Sequence, residues 1–336
     1  MIEIVAASEA MREAVRLAER VATTDANVLI TGESGSGKDA LARFIHAHST
    51  RAGQPLLKID CATLPADLLE AELFGYERGA FTGASETKPG RLEAAHRGTV
   101  ILDEIAHLSL DAQAKLLRVI EHREFERLGG RKTINVDARL IALTNADLKG
   151  AVDRRAFRDD LFYRLNVVQI AVQSLRERGS DLERLSRAFL KTYAEKHGRP
   201  VKKISSQALG ILVAYEFPGN VRELANIIER AVIVSAGAEI EGADLPESLR
   251  ASAAAGPRRG RRPTLAEIEA EYILETLAAT NGNKKKAATI LGISRKNLYE
   301  RLARMETENR SQRSEVGKKD EYGMADVVQD DRQDTD

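Results

Sequence analysis

The residues best suited to chemistry in this chain are a lysine that ends a glycine-rich run and two adjacent acids that end an apolar run. The first group is Gly32-Glu33-Ser34-Gly35-Ser36-Gly37-Lys38, which follows Val28-Leu29-Ile30 and opens a helical pattern. Glycines allow backbone N–H groups to turn toward phosphate oxygens, and the helix N-terminus adds partial positive charge. The run therefore predicts a phosphate loop in which Lys38 reaches the β- and γ-phosphates, with an ordinary glycine-rich turn as the alternative.

The two acids end the run Val100-Ile101-Leu102-Asp103-Glu104. Downstream of a phosphate loop, Asp103 is expected to hold Mg²⁺, directly or through water, and Glu104 to polarise the water that attacks the γ-phosphate. The alternative is a strand that ends in a solvated acidic turn. The residue after the loop lysine, usually a Ser or Thr whose hydroxyl binds Mg²⁺, is Asp39 here. ATP and Mg²⁺ are the cofactors that these residues predict.

Two further places fit a nucleotide site. Thr144 and Asn145 follow the apolar run 140–143, at the carboxyl edge where such sheets bind ligands. Arg158 and Arg164 lie near the end of the same region, and arginine is suited to spreading the charge of a transferring phosphoryl group. From the residues alone, solvated arginines or arginines paired with the neighbouring aspartates are the commoner arrangement.

Alternating strand and helix patterns surround these residues. Apolar runs of strand length lie at 28–30, 56–59, 100–102 and 140–143, and helical patterns at 38–48, 66–73 and 111–121 separate them. This rhythm predicts an α/β fold with a parallel sheet and helices on both faces. Composition and pattern divide the chain into an α/β subdomain (1–170), an all-helical subdomain (171–250), a basic, Pro/Gly-rich linker (251–263), a helical module (264–306) and a disordered acidic tail (307–336).

The composition limits the class of protein. The chain has 336 residues, 43% of them hydrophobic and 30% charged, with 51 basic residues balancing 51 acidic ones. The balance is uneven, because residues 257–304 hold eleven Lys or Arg against five Asp or Glu, and residues 306–336 hold five against ten. A single cysteine, Cys61, excludes intrachain disulfides and fits a reducing cytosol. With neither a signal-peptide pattern nor a long apolar run, a cytoplasmic protein without membrane contacts is expected.

The basic segment has the pattern of a DNA-binding module. A capping box at 264–267 precedes an apolar stripe that fits either a core or a dimer contact (Leu265, Ile268, Tyr272, Ile273 and Leu277). A helix over 283–291, a turn at Gly292 and a serine-capped second helix predict a helix-turn-helix, with a basic helical hairpin as the alternative. The side chains expected to contact DNA are Lys284, Lys285, Ser294, Arg295, Lys296, Asn297, Tyr299 and Arg301.

Together these motifs resemble one family closely, the AAA+ activators of sigma-54 RNA polymerase, also called bacterial enhancer-binding proteins. The matching segments are GESGSGKD (32–39), ELFGYERGAFTGA (72–84), GTVILDE (98–104), FRDDLFYRLNV (157–167), LRER (175–178) and FPGNVREL (217–224). The resemblance covers most of residues 8–306, and the C-terminal helices resemble a Fis-type DNA-binding domain. GAFTGA is the most specific segment, because a phosphate loop alone indicates only an ATPase.

The resemblance implies an AAA+ P-loop fold with a helical lid, and roles that spacing cannot show. Arg158 and Arg164 match trans-acting arginine fingers, which implies a ring, a hexamer when active and a dimer when inactive. Arg222 matches the sensor arginine of the lid, and Thr144 with Asn145 matches the first sensor. The segment that contacts sigma-54 in the family matches Gly79, Ala80, Phe81, Thr82, Gly83 and Ala84.

Two positions depart from the family pattern. Asp60 stands where the family mostly has an asparagine that is thought to link the γ-phosphate to the catalytic glutamate. A carboxylate there would lie near Glu104 and the phosphates, and like charges resist joint ionisation. The resulting hypothesis is that Asp60 takes up a proton when ATP binds, or acts through a water. Residues 172–175 read Val-Gln-Ser-Leu where the family often has Pro-Pro-Leu, which is expected to affect only the hinge into the lid.

The resemblance implies an ATP-hydrolysing transcriptional activator that binds enhancer DNA and remodels the closed complex of sigma-54 RNA polymerase through GAFTGA. The rivals are a DNA-binding regulator that no longer contacts sigma-54, a different AAA+ remodeller such as a chelatase, and a DNA-binding protein without enzymatic activity. The intact GAFTGA loop argues against the first rival. The same loop and the Fis-like terminus argue against the second, and the presence of both nucleotide motifs argues against the third. Since the nucleotide motifs begin near residue 1, control by a separate regulatory protein and removal of an N-terminal regulatory domain both stay open.

Overall fold

A computed structural model of the chain describes residues 4–254, 269–270, 272–273, 276–277, 280 and 283–302. The chain divides into two compact units, with the boundary between residues 257 and 258. The capping box expected at 264–267, the linker from residue 255 onward and the acidic tail lie outside the described residues.

The helices and strands of the first unit alternate along most of its length. Its helices are α1 (Glu9–Ala22), α2 (Lys38–Ala47), α3 (Ala66–Phe74), α4 (Arg91–Ala94), α5 (Leu110–His122), α6 (Leu148–Asp153), α7 (Asp159–Leu165), α8 (Gly179–His197), α9 (Ser206–Ala214), α10 (Asn220–Val234) and α11 (Glu247–Ala254). Its strands are β1 (Val28–Thr31), β2 (Leu56–Asp60), β3 (Gly75–Tyr76), β4 (Lys88–Pro89), β5 (Thr99–Asp103), β6 (Glu124–Glu126), β7 (Thr133–Asn135), β8 (Arg139–Thr144), β9 (Val168–Ala171), β10 (Lys203–Ile204) and β11 (Glu239–Ile240).

The central sheet has the strand order β2-β5-β8-β1-β9, and all its neighbouring strands pair in parallel. The predicted α/β fold with a parallel sheet is therefore confirmed. Because parallel strands end at the same edge, the sheet brings the phosphate loop after β1 to the edge where three other strands end. Those strands carry Asp60, Asp103 and Thr144 at their carboxyl ends.

Successive residues of the central strands face opposite sides of the sheet. Leu29 and Leu102 pack into a core that also contains residues of α3 and α5. Val28 and Ile30 pack into a second core with residues of α1 and α2. Both faces are thus covered by helices, which explains why these strands are continuous apolar runs rather than alternating ones.

The sequence patterns do not predict two short antiparallel pairs, β3–β4 and β6–β7. Strands of two or three residues are too short to show a period of two. The β3–β4 pair brackets the segment 79–84. Two backbone bonds fix its base to the segment after β6, from Glu77 N to Leu128 O and from Leu128 N to Gly75 O, each 3.0 Å.

Helices α8 to α11 form the lid, around an apolar core that includes Leu182, Phe217 and Leu224. The expectation of an all-helical subdomain is wrong in one detail, because β10 and β11 form a two-residue parallel pair. Helix α11 also continues to Ala254, four residues into the segment read as a linker. The small residues there are mostly alanines, which favour a helix as readily as a linker.

In the second unit, helix α12 (Lys284–Ile290) and a helical stretch over residues 295–302 are joined by a turn in which Gly292 has φ +67°. Ser294 Oγ accepts a hydrogen bond of 3.2 Å from Asn297 N, as an N-cap does. Ile273 and Leu298 are buried in the small core of this unit, while Tyr272 is exposed. The predicted helix, glycine turn and capped second helix are therefore present.

Candidate functional site

The loop after β1 has the conformation that glycine makes possible. Gly32, Gly35 and Gly37 have φ of +151°, +74° and +111°. A Cβ on Gly32 would lie 2.3 Å from Val172 O, and one on Gly35 would lie 2.4 Å from Gly219 O. Substitution at either position would therefore push the loop away from the chain that enters the lid or from the lid itself.

Lys38, the first residue of α2, is directed back over this loop. Its Nζ donates to the carbonyl oxygens of Gly32 at 2.7 Å and Glu33 at 3.1 Å. Burial lowers the pKa of Lys38, and the nearby charges of Glu104 and Asp103 partly oppose that shift. The lysine and the two acids predicted from the sequence are thus brought into one site.

The two strand-end acids have distinct surroundings. Asp103 lies opposite Asp60 in the β2–β5 register, and its Oδ1 accepts from Glu104 N at 3.1 Å. Glu104 has φ +54°, in the left-handed region that non-glycine residues seldom adopt. Its Oε2 accepts a hydrogen bond of 3.2 Å from the backbone N–H of Asn145. The strained backbone aims the Glu104 carboxylate at the end of β8, and such strain is commonest at functional sites.

Thr144 and Asp60 each hold the chain that follows them. Thr144 is fully buried, and its Oγ1 accepts from Ala146 N at 3.0 Å. Its backbone oxygen accepts from Gly32 N at 3.2 Å, which joins the end of β8 to the phosphate loop. Asp60 Oδ1 accepts from Ala62 N at 2.9 Å. The first-sensor candidates and Asp60 therefore lie at the same sheet edge as Asp103.

Sequence reasoning missed Lys58, which the fold places between two acids of the site. Its Nζ lies 2.9 Å from Asp39 Oδ1 and 2.7 Å from Asp103 Oδ2. Burial would lower the pKa of Lys58, but the contacts with Asp103 and Asp39 outweigh it and raise the pKa. Arg43 holds the other oxygen of Asp39 at 2.8 Å. No local pattern marks a single lysine in a strand, so only the fold could reveal this contact.

The site contains groups that fit a nucleotide and a divalent cation. The hydroxyl of Ser36 is buried without a hydrogen-bond partner, and so is Asp39 Oδ1, whose contact with Lys58 is an ion pair without hydrogen-bond geometry. Across the described ranges, no group of three or more His, Cys, Asp or Glu side chains is arranged to hold a metal. Asp103 with phosphate oxygens and water is the kind of ligand set that Mg²⁺ takes in nucleotide sites.

A second feature that the sequence reasoning missed joins the lid to the loop. Asn220 is fully buried, and its Nδ2 donates to Glu33 Oε2 and to Ser34 O, both at 3.0 Å. Its Oδ1 accepts from Leu175 N at 2.7 Å. Arg176 forms an ion pair with Glu33, and these two partners lower the Glu33 pKa, Arg176 more than Asn220. Asn220 is the asparagine of the segment FPGNVREL. The spacing of residues in the sequence does not show that this side chain contacts the phosphate loop.

Two arginines of the lid also contact the loop. Arg222, the predicted sensor, is exposed and donates to Ser34 Oγ at 3.1 Å. Arg178 is buried and donates to the carbonyl of Ser36. Val221 N donates to Gly35 O at 3.0 Å. Movement of the lid is thus linked to the shape of the phosphate loop.

The two predicted finger arginines are paired with acids. Arg158 precedes α7 and binds Asp160 through two hydrogen bonds, Nε to Oδ1 at 3.0 Å and Nη2 to Oδ2 at 2.8 Å. Arg164 Nε lies 2.8 Å from Glu121 of α5. The Arg158 pair matches the alternative of pairing with a neighbouring aspartate, whereas Arg164 pairs with an acid of another helix.

The GAFTGA segment is an exposed loop with a fixed base. Gly79 N donates to Ala84 O at 2.9 Å, which closes the loop. Residues 81–83 are exposed, and the Phe81 ring packs edge-on against Tyr76 with centroids 5.0 Å apart. A groove lined by Lys58, Asp60 and Phe81, among others, joins the nucleotide edge of the sheet to the loop tip.

The loop base is held by an ion cluster. Arg127 contacts Glu77 at 2.9 Å and Glu93 at 2.8 Å. The bonds with Glu93, and then with Glu77, raise the pKa of Arg127. The base of the loop is therefore fixed to the body of the subdomain, while its tip is exposed.

The second unit presents its basic side chains to solvent. Residues 294–297 and 299 are exposed, as are Lys284 and Lys285, and Arg301 is half-buried. Lys284 Nζ lies 4.8 Å from the centroid of the Tyr299 ring. All eight predicted DNA-contact residues therefore lie on the two helices of the helix-turn-helix or at the cap between them.

Comparison with known families finds three matches. The family described as "Sigma-54 interaction domain" matches residues 4–171, "AAA+ ATPase lid domain" matches 176–261, and "Bacterial regulatory protein, Fis family" matches 264–305. Within the described ranges, no helix is both long enough and apolar enough to cross a bilayer.

Individual proteins are similar over most of the chain. Regulatory protein AtoC of Escherichia coli is 44% identical over 303 residues, covering 88% of this chain and 66% of AtoC. Transcriptional regulatory protein ZraR of Salmonella typhimurium is 45% identical over 301 residues, covering 90% of this chain and 68% of ZraR. The chain thus spans about two thirds of the length of these relatives.

A solved structure is similar in fold as well as sequence. NtrX from Brucella abortus in complex with ADP superposes with a TM-score of 0.69 and 34% identity, covering 91% of this chain and 70% of NtrX. An ATP complex of the same protein gives a TM-score of 0.69 and 35% identity over 90% of this chain and 70% of NtrX.

Proposed function

This chain belongs to the family of sigma-54-dependent transcriptional activators, and we propose that it hydrolyses ATP and uses the cycle to move its GAFTGA loop against sigma-54. The observation that carries the proposal is the path from the nucleotide edge to the loop. Asp60 lies opposite Asp103 in register, and the chain runs from it through α3 and β3 into the loop. The groove between Asp60 and Phe81 follows the same path.

The chemistry proposed at the sheet edge assigns one task to each residue. Loop N–H groups of residues 32–38 bind the phosphates, and Lys38 neutralises their charge. Asp103 would hold Mg²⁺, which supplies positive charge to the phosphate oxygens when bound. Glu104 orients and polarises the attacking water. The Asn145 N–H now bonded to Glu104 can release the carboxylate to that water, which would link the sensor to the acid.

The proposed active assembly is a ring, a hexamer, that forms from inactive dimers. Arg158 and Arg164 would leave Asp160 and Glu121 and reach the nucleotide of the neighbouring subunit. Both pairs are partly exposed, so exchanging a carboxylate for a phosphate costs little, and the multiply charged phosphate is the stronger partner.

The helix-turn-helix would hold the assembly on enhancer DNA. Arg295, Lys296 and Asn297 open the second helix and are exposed, which suits contacts with phosphates and base edges in a major groove. In this proposal residues 1–170 are the ATPase subdomain, 171–254 the lid with helix α11 at its end, 255–263 the linker, 264–306 the DNA-binding domain and 307–336 an acidic tail. AtoC, ZraR and NtrX are longer than the part that this chain matches. We therefore assign control of the proposed activity to a regulatory protein or domain and do not specify the signal to which it responds.

One experiment tests the coupling of nucleotide to sigma-54. The full chain is mixed with purified sigma-54, ADP and a metal fluoride that mimics the transferring phosphoryl group, and complexes are separated by native gel electrophoresis. We expect a co-migrating complex that Thr82→Ala abolishes. The matched control is Ser85→Ala, an exposed residue just outside the hexapeptide, which should leave the complex intact. ATPase activity without any complex would favour a regulator that no longer contacts sigma-54.

A further inference from the structure

Lys58 places a positive charge between two acids of the site. It projects from the edge strand β2 between Asp39, which follows the loop lysine, and Asp103, at the end of β5. Its ammonium lies 2.9 Å from Asp39 and 2.7 Å from Asp103. The side chain is 31% exposed and that of Asp103 is 19% exposed, so this pair is screened less than a surface ion pair.

The charge balance of the site depends on this one lysine. The charges of Glu104 and Asp103 act on the loop lysine, Lys38, while the Asp39 carboxylate lies beside Lys58. Arg43 compensates Asp39 from outside, but Lys58 is the cation bonded to Asp103. Asp39 stands where most phosphate loops have a hydroxyl that helps to bind the metal, and, as is often the case in this family, it adds a negative charge instead.

We propose that Lys58 is a positioning residue that holds Asp103 and Asp39 and lets the phosphate site accept a nucleotide that carries no divalent cation. With the ammonium present, the carboxylates are neutralised and the polyphosphate is not repelled. Without it, the site has a net negative charge, and a nucleotide binds well only when a divalent cation supplies the missing charge. The proposal rests on the proposed ATP site and concerns its dependence on metal.

The test compares nucleotide affinity with and without metal in the full chain. The probe is a fluorescent N-methylanthraniloyl ADP, titrated in Mg²⁺ and in excess EDTA. For Lys58→Met we expect the ratio of Kd in EDTA to Kd in Mg²⁺ to rise about tenfold over wild type, because one unit charge near the phosphates is lost. Lys58→Arg keeps the charge and should stay within about threefold of wild type. Both variants are first checked for wild-type circular dichroism.

Two controls separate this role from a general change in charge. Lys88→Met removes a lysine that pairs with Glu72 away from Asp103, and it should not alter the ratio. Arg43→Met removes the other cation from Asp39 but leaves Asp103 paired, and it should change the ratio less than Lys58→Met. An unchanged ratio in folded Lys58→Met, or an equal rise in Arg43→Met, would overturn the inference while leaving the ATP site intact. No binding by wild type in Mg²⁺ would overturn both.

Discussion

The side-chain amide of Asn220 donates to Glu33 Oε2 and to the backbone oxygen of Ser34, both at 3.0 Å, although 187 and 186 residues separate the partners. The same side chain accepts from Leu175 N, so one buried amide joins the lid, the hinge and the phosphate loop. The backbone of Asn220 has φ +52°, in the left-handed region that asparagine tolerates better than most residues.

The first prediction concerns this amide. Asn220→Ala should destabilise the first unit by about 2–4 kcal/mol, because it leaves buried partners unpaired and adds backbone strain. Asn220→Gly removes the amide without the strain and should be about 1 kcal/mol less destabilising than Ala. Both should weaken nucleotide affinity, measured with the fluorescent ADP. Denaturant unfolding supplies the stabilities, and wild-type values for the alanine variant would contradict the contact.

The second prediction concerns Glu104. Glu104→Gln keeps an oxygen that can accept from Asn145 N but loses the charge that polarises water. ATP turnover should fall about 10²-fold or more, while affinity for the fluorescent ADP should not weaken, because losing a carboxylate lowers the repulsion of the phosphates. The control is Glu86→Gln, an exposed acid beyond the loop. Turnover close to wild type in Glu104→Gln would remove this residue from the hydrolytic role.

The third prediction tests whether Arg158 acts on a neighbouring subunit. Arg158→Ala keeps its own phosphate loop, and Lys38→Ala keeps its own finger, so each alone should hydrolyse ATP about 10²-fold more slowly than wild type. A mixture of the two variants should recover measurable turnover, because mixed rings contain sites with both residues. If the mixture is no more active than its components, Arg158 does not act in trans.

The fourth prediction concerns Asp60, the departure from the family pattern. Asp60→Asn removes a negative charge opposite Asp103, so ATP should bind more tightly and the variant should differ from wild type in how affinity or turnover changes between pH 6 and 8. The measurement is ATP affinity and turnover at several pH values in that range. If both quantities match wild type throughout, the hypothesis of a protonated or water-linked Asp60 is refuted.

The fifth prediction is a pH dependence of stability that comes from His46. Burial, with added repulsion from Arg139, holds the pKa of His46 below its usual range, and Nδ1 lies 3.0 Å from Thr99 Oγ1. Because the unfolded state binds the proton more readily, stability is lost as pH falls below about 6.5, by at most about 1.4 kcal/mol per pH unit. His46→Gln should lose less stability than wild type between pH 7.5 and 5.5, whereas His122→Gln, at an exposed position, should behave as wild type.

Patterns of neighbouring residues predict most of the fold. The segments 28–38 and 100–104 each combine a strand, a turn and a residue type that few other structures require, so neighbouring residues alone predicted them. The short strands, such as the β10–β11 pair, are not predicted from the sequence because two residues are too few to show a period. The alanines before residue 255 favour a linker as readily as a helix, so their sequence does not show that Ala254 ends a helix.

The sequence by itself determined that this chain has a phosphate loop, an acidic strand end, a GAFTGA segment and a helix-turn-helix, because each is written in consecutive residues. Only the tertiary structure decided that Lys58 lies between Asp39 and Asp103 and that Asn220 is bonded to the phosphate loop. Both arrangements join residues from separate elements, and their strength comes from burial and distance. Neither quantity exists until the sheet has formed and the lid has packed against it.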